Sequence, residues 1–138
     1  MSVMEVGCAV IAKSGKLLIA QRKPGAHLGG FWEFPGGKRY DHENMEACLI
    51  REVHEELGIW IRPRQFLRKT EHAYPDKNVA LYFYLCDWVS GRPVRRDCLN
   101  FQWVEPVELR RFRFPLGDDV ILNELIRKRI YYFNRVEP

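Results

Sequence analysis

A chain of 138 residues and 16.4 kDa with 46% hydrophobic and 29% charged residues is large enough to bury one real core and too regular in composition to be disordered or repetitive, so a single domain over residues 1–138 is expected. Its formal net charge of +4 and pI of about 9.0 favour an anionic partner. The cations fall in small groups (Arg62, Arg64, Arg68 and Lys69; Arg92, Arg95 and Arg96; Arg110, Arg111 and Arg113; Arg127, Lys128 and Arg129) without the aromatic platforms of a nucleic-acid module, and no apolar run approaches the ~18 residues of a membrane span.

The opening run MSVMEVGCAVIA has no positive segment ahead of it and reads as a first strand rather than a signal peptide, consistent with a cytoplasmic protein. Val3–Ala12, the turn Lys13-Ser14-Gly15-Lys16 and Leu17–Ala20 form a hairpin. Phe31–Phe34 is a short strand stopped by Pro35-Gly36-Gly37, where the glycine pair marks unusual dihedrals or close approach by a ligand. Asn44 is a suitable N-cap, the pattern is helical to Leu57, and Gly58 stands where a helix ends. Ile59–Ile61 and Phe66–Tyr74 read as extended, residues 75–78 as a turn, and Val79–Trp88 as a long aromatic strand. Phe101–Val104 is another strand, and Pro106 opens a short helix. A second long helix is expected from about Asp118 to Asn134, with Leu122, Leu125, Ile126, Ile130 and Phe133 along one side. Strands between two helices predict a mixed sheet sandwiched by helices. Cys8, Cys48, Cys86 and Cys98 show no C-x-x-C spacing and read as reduced thiols without chemistry.

The acids of this basic chain concentrate between residues 36 and 59, in GGKRYDHENMEACLIREVHEELGI. At ~100° per residue, Leu49, Ile50, Val53 and Leu57 share one stripe of the helix, while Glu52, Glu55 and Glu56 share another. Glu52 and Glu56 repel at i and i+4, and Arg51 alone cannot neutralise three acids. A hard divalent cation such as Mg²⁺ can.

The same stretch resembles the Nudix signature at every specified position: Gly37, five residues, Glu43, seven residues, Arg51-Glu52-Val53, His54, Glu55-Glu56, Leu57, Gly58-Ile59. Ala26-His27, Glu33-Phe34-Pro35-Gly36-Gly37, Tyr74-Pro75-Asp76 and Phe114-Pro115 are similar to the MutT-like branch, which extends the resemblance over almost the whole chain. It implies the Nudix fold, an α/β/α sandwich around a mixed sheet. It also implies Mg²⁺-dependent hydrolysis of nucleoside triphosphates to monophosphate and pyrophosphate, with Mn²⁺ a possible substitute. Glu55, Glu56 and the Gly36 carbonyl would hold metal, Glu52 would bind it through water or act as base, and Arg51 would orient a carboxylate. A further acid before the last strand, placed by aligning on Trp103, matches Asp97. Tyr40, where the family often has an acid, and His42, where it commonly has glycine, depart from the pattern outside the strict signature.

For the substrate, the resemblance points to Arg22, Phe34, Gly37, Lys38, Asp76 and Asp118. In MutT the purine lies against the residue matching Phe34, near an arginine matching Arg22, and an asparagine matching Asp118 reads its edge. Asparagine donates and accepts at once, whereas an ionised Asp118 only accepts; mammalian 8-oxo-dGTP hydrolases of the family do use neighbouring aspartates. Alternatively, Asp118 caps the helix. Oxidised guanine nucleotides are thus the expected substrate, against CTP or another pyrimidine triphosphate, RNA 5′ ends, or a non-catalytic nucleotide-binding role. The resemblance implies a small nucleotide as the partner, and the chain is expected as a monomer or weak dimer.

Overall fold

The computed structural model describes residues 2–133. Its strands are β1 (Val3–Lys13), β2 (Lys16–Gln21), β3 (Trp32–Glu33), β4 (Gly36–Lys38), β5 (Trp60–Ala73), β6 (Asn78–Ser90) and β7 (Asn100–Val104). The helices are α1 (Met45–Leu57), α2 (Asp119–Arg127) and α3 (Arg129–Phe133), with 3₁₀ turns at Pro106–Arg111 and Leu116–Asp118. β1 and β2 form the expected hairpin, Ile11 facing Leu18 across a turn in which Ser14 and Gly15 take φ of 51° and 79°. β1 also runs parallel to β6 over most of its length, β5 is antiparallel to β6, and β7 is antiparallel to β2. The central order is β3-β2-β1-β6-β5.

Past the hairpin, β1 and β2 diverge, and the segment Trp32–Lys38 is wedged between them, β3 pairing with β2 and β4 with β1. The wedge is held where the Ala9 N–H donates to the Pro35 carbonyl at 2.7 Å, and Phe34 is buried beside it.

Alternation along the strands divides the core between two faces. Cys8, Val10, Leu17 and Ile19 pack with Ile121, Leu122 and Leu125 on the α2 and α3 side. The intervening residues Ala9, Ile11, Leu18 and Ala20 pack with Leu49, Val53 and Leu57 of α1 on the other side. The result is a sandwich of helices around one mixed sheet.

Three expectations are corrected. The second long helix is broken at Lys128 (φ −102°, ψ 20°) into α2 and α3, which shifts the helical phase: Tyr132 and Phe133 are buried, while Ile130 is 70% exposed instead of lying on the core side. Its expected end at Asn134 lies outside the described residues. Residues 60–73 form one strand rather than two extended pieces, with register shifts between Pro63 and Gln65 and between Phe66 and Arg68. Pro63 has no N–H to donate, and an edge strand with bulges tolerates that. Gly36–Lys38, expected only as a stop after the short strand, pairs with Val6–Cys8.

Candidate active site

Helix α1 is fixed at both ends by local chemistry. The Asn44 side chain accepts from the Ala47 N–H at 2.8 Å, and Gly58 closes the helix in the left-handed region (φ 73°), its N–H donating to the His54 carbonyl. Burial of Leu49, Val53 and Leu57 against the sheet sets the rotation of the helix. Its acids are therefore graded: the Glu55 side chain is 59% exposed, that of Glu52 20%, and Glu56 is buried. The expectation of one shared acidic stripe is corrected for Glu56, which lies on the edge of the packed stripe.

The Gly36-Gly37 strand runs directly alongside. A side chain at Gly36 would collide with the Gly7 carbonyl of β1, and one at Gly37 would collide with the Glu52 carboxylate. Close approach, more than chain flexibility, is thus what both glycines supply. Gly36→Ala must disturb the β1–β4 pairing and is expected to destabilise the protein by about 2–4 kcal/mol, measured by urea unfolding.

Arg51 is the hub of the charged network. Its Nε and Nη2 donate to the two Glu43 oxygens at 3.0 and 2.6 Å, Nη1 to Glu52 at 2.8 Å and to Glu55 at 3.3 Å, and Nη2 also to the Lys38 carbonyl at 3.0 Å. The Tyr40 ring covers its guanidinium at 3.9 Å. Arg51 holds the Glu43 carboxyl down at about 2. The Glu52 carboxyl is instead raised by burial, against the opposing pull of Arg51.

Glu56 has a different environment. Burial first, then the nearby acids Glu33, Asp97 and Glu52, push its carboxyl up to about 9, although a Gly36 backbone hydrogen bond opposes this. Asp97 is joined to the helix through its backbone N–H, which donates to the Glu56 carbonyl at 3.2 Å. Its side chain is 76% exposed and pairs with Lys23 at 3.1 Å. Among the described residues, no three His, Cys, Asp or Glu side chains converge tightly enough to enclose an ion as they stand. Their chemistry fits a hard cation nonetheless: a buried carboxyl raised by surrounding acids gains most from a divalent charge, and carboxylate and carbonyl oxygens are its natural donors.

A cavity of about 320 Å³ opens beside this strand. Gly36, Gly37 and Lys38 line one part, Phe34, Leu81 and Phe83 an apolar part, and Arg22, Glu33 and Asp118 a polar part. Arg22 is held by both Glu33 oxygens at 3.1 and 3.0 Å and by the His27 carbonyl at 2.5 Å. Asp118 is buried, makes no capping hydrogen bond to α2, and has its carboxyl raised to about 6 by burial, Glu33 and Asp119. The alternative of a simple helix cap therefore does not describe it. Asp119 is engaged elsewhere, accepting from Arg110 at 2.9 Å.

Asp76 is exposed in the turn and does not line the cavity; its neighbours Tyr74 and Lys77 do. Sequence reasoning did not single out Glu33, His27 and His72 as lining residues. Glu33 belongs to the Glu33–Gly37 motif, so its charge beside a glycine pair was a usable signal. His72 had none, because its place depends on a turn 45 residues further on in the chain.

Residues 7–124 match the NUDIX domain. The chain belongs to the Nudix family. Among relatives, it is 37% identical over 106 residues to the 8-oxo-dGTP diphosphatase of Buchnera aphidicola subsp. Acyrthosiphon pisum, covering 77% of this chain and 86% of that protein. It is 27% identical over 129 residues to the CTP pyrophosphohydrolase of Escherichia coli, covering 94% and 96%. The solution structure of the E. coli ORF135 protein matches with a TM-score of 0.83 at 27% identity, covering 95% of this chain and 94% of that one. This Nudix chain is accordingly a hydrolase, with the α/β/α architecture of its relatives. None of its described helices is long and apolar enough to cross a membrane.

Proposed function

We propose that this Nudix hydrolase converts nucleoside triphosphates to the monophosphate and pyrophosphate, with 8-oxo-dGTP the favoured substrate, and so cleanses the nucleotide pool in the cytoplasm as a monomer or weak dimer. The observation that carries this reading is the cavity that joins the Gly36–Lys38 strand, across an apolar wall, to a buried Asp118 that makes no capping bond. Base and polyphosphate can lie along it together.

Each residue then has a distinct task. Phe34, Leu81 and Phe83 exclude water from the base, and Asp118 meets its polar edge. Protonated, Asp118 can donate to O6 of the oxidised purine; ionised, it accepts the N7–H that ordinary guanine lacks. Lys38 and Lys77 offer charge to the phosphates. Glu52 takes the proton of the attacking water while Arg51 fixes one of its oxygens, leaving the other beside Gly37. Gly36, Glu52, Glu55, Glu56 and Asp97 would hold Mg²⁺, or Mn²⁺ in its place. When bound, the ion supplies positive charge for the polyphosphate and for charge developing on the leaving oxygen.

A pyrimidine reading has one point in its favour, since a carboxylate at Asp118 can accept from the cytosine amino group. Hydrolysis in ¹⁸O-water tests the bond chosen. Label in pyrophosphate is expected, from attack at the β-phosphorus; label in the monophosphate would place attack at the α-phosphorus.

A further inference from the structure

His72 of β5 and Gly117 of the Leu116–Asp118 turn both line the cavity, on either side of the gap between sheet and turn. They are in contact: a methyl group added at Gly117 would overlap the imidazole, lying 3.0 Å from Nδ1 and 3.2 Å from Nε2. Gly117 does not adopt the left-handed backbone that favours glycine, so space for the ring, rather than conformation, accounts for its missing side chain. The ring is itself held on its strand, with Nε2 3.3 Å from the Thr70 hydroxyl. Leu116, next to Gly117, is 87% exposed, so its side chain is not packed into the core. The residue that follows the contact is Asp118.

We propose that His72 is a positioning residue for base selection: its ring sets the standoff between β5 and the Pro115–Asp118 turn, and with it the reach of the Asp118 carboxyl toward the base. This rests on the reading that the cavity takes the nucleobase. His72 and Gly117 act as a matched pair, so enlarging one displaces the turn and shrinking the other relieves it.

The test is a double-variant cycle of His72→Ala, Gly117→Ala and both together, with kcat and KM measured for 8-oxo-dGTP, dGTP and CTP. Binding of the monophosphate products is measured alongside, and thermal melts confirm folding. Gly117→Ala is expected to raise KM for the preferred nucleotide about tenfold with kcat changed less than about threefold, and His72→Ala to narrow the preference among bases. Adding His72→Ala to Gly117→Ala should recover most of the lost affinity. Should Gly117→Ala fail to fold, His72→Ala and His72→Gln decide: lost selectivity in the first and its partial recovery in the second support the role. Strictly additive effects, or unchanged base preference in His72→Ala, would overturn it. A wild type that prefers CTP would reject the 8-oxo-dGTP reading, and the coupling between His72 and Gly117 would then be decided by the same cycle on CTP.

Discussion

Glu56→Gln is expected to lower kcat by about three orders of magnitude while making the metal-free protein more stable at neutral and alkaline pH. Both effects follow from one environment. The Glu56 carboxyl is buried beside Glu33, Asp97 and Glu52 and is pushed up to about 9. Because its pKa in the folded chain exceeds the unfolded value of 4.5, the folded state holds a proton that the unfolded state releases. The contribution to stability is therefore fully present below pH 4.5 and is lost as pH rises toward 9, by up to about 4 kcal/mol between pH 5 and pH 8. Glutamine carries no such proton, so its stability curve should be flatter across that range. Mg²⁺ should stabilise the wild type more as pH rises and the variant much less, as thermal melts with and without the ion will show. Glu52→Gln should lose turnover comparably with a smaller change in stability, since Glu52 is less buried and is paired with Arg51.

Asp118 carries the second large effect. Asp118→Ala is expected to raise KM for the preferred nucleotide by about ten- to a hundredfold, equivalent to roughly 1–3 kcal/mol for a lost hydrogen bond in a buried pocket. Asp118→Asn should retain or improve 8-oxo-dGTP hydrolysis, because an amide can donate without needing a proton. The carboxyl is raised from 3.8 to about 6, so its contribution to stability falls as pH rises through that interval, and the asparagine variant should lack this dependence. If the protonated acid is the form that donates to O6, kcat/KM for 8-oxo-dGTP should decline above about pH 6 in the wild type and stay level in Asp118→Asn. Equal KM for every nucleotide after Asp118→Ala would remove Asp118 from base recognition.

The elements legible in the sequence are those set by local rules. The Asn44 cap, the Gly58 stop and the Leu49-Val53-Leu57 stripe specify α1 with nearest-neighbour chemistry alone, and the Ser14-Gly15 turn specifies the first hairpin. The features that are not legible depend on distant partners. The parallel pairing of β1 with β6 joins residues 75 positions apart, as Val3 to Asn78, and no local pattern encodes it. The break at Lys128 is likewise invisible to periodicity, since the residues on both sides are acceptable helix formers. In the site, the motif placed Arg51, Glu52 and Glu56 on one helix, but how deeply each is covered depends on the β4 wedge beside them. The pairing of Asp97 with Lys23, far away in the chain, likewise has no local signature.

The most direct test of the central claim is steady-state hydrolysis of 8-oxo-dGTP, dGTP and CTP with Mg²⁺, with every product identified. The expected result is the highest kcat/KM for 8-oxo-dGTP, yielding 8-oxo-dGMP and pyrophosphate. Orthophosphate as the first product, or a higher kcat/KM for CTP, would contradict it.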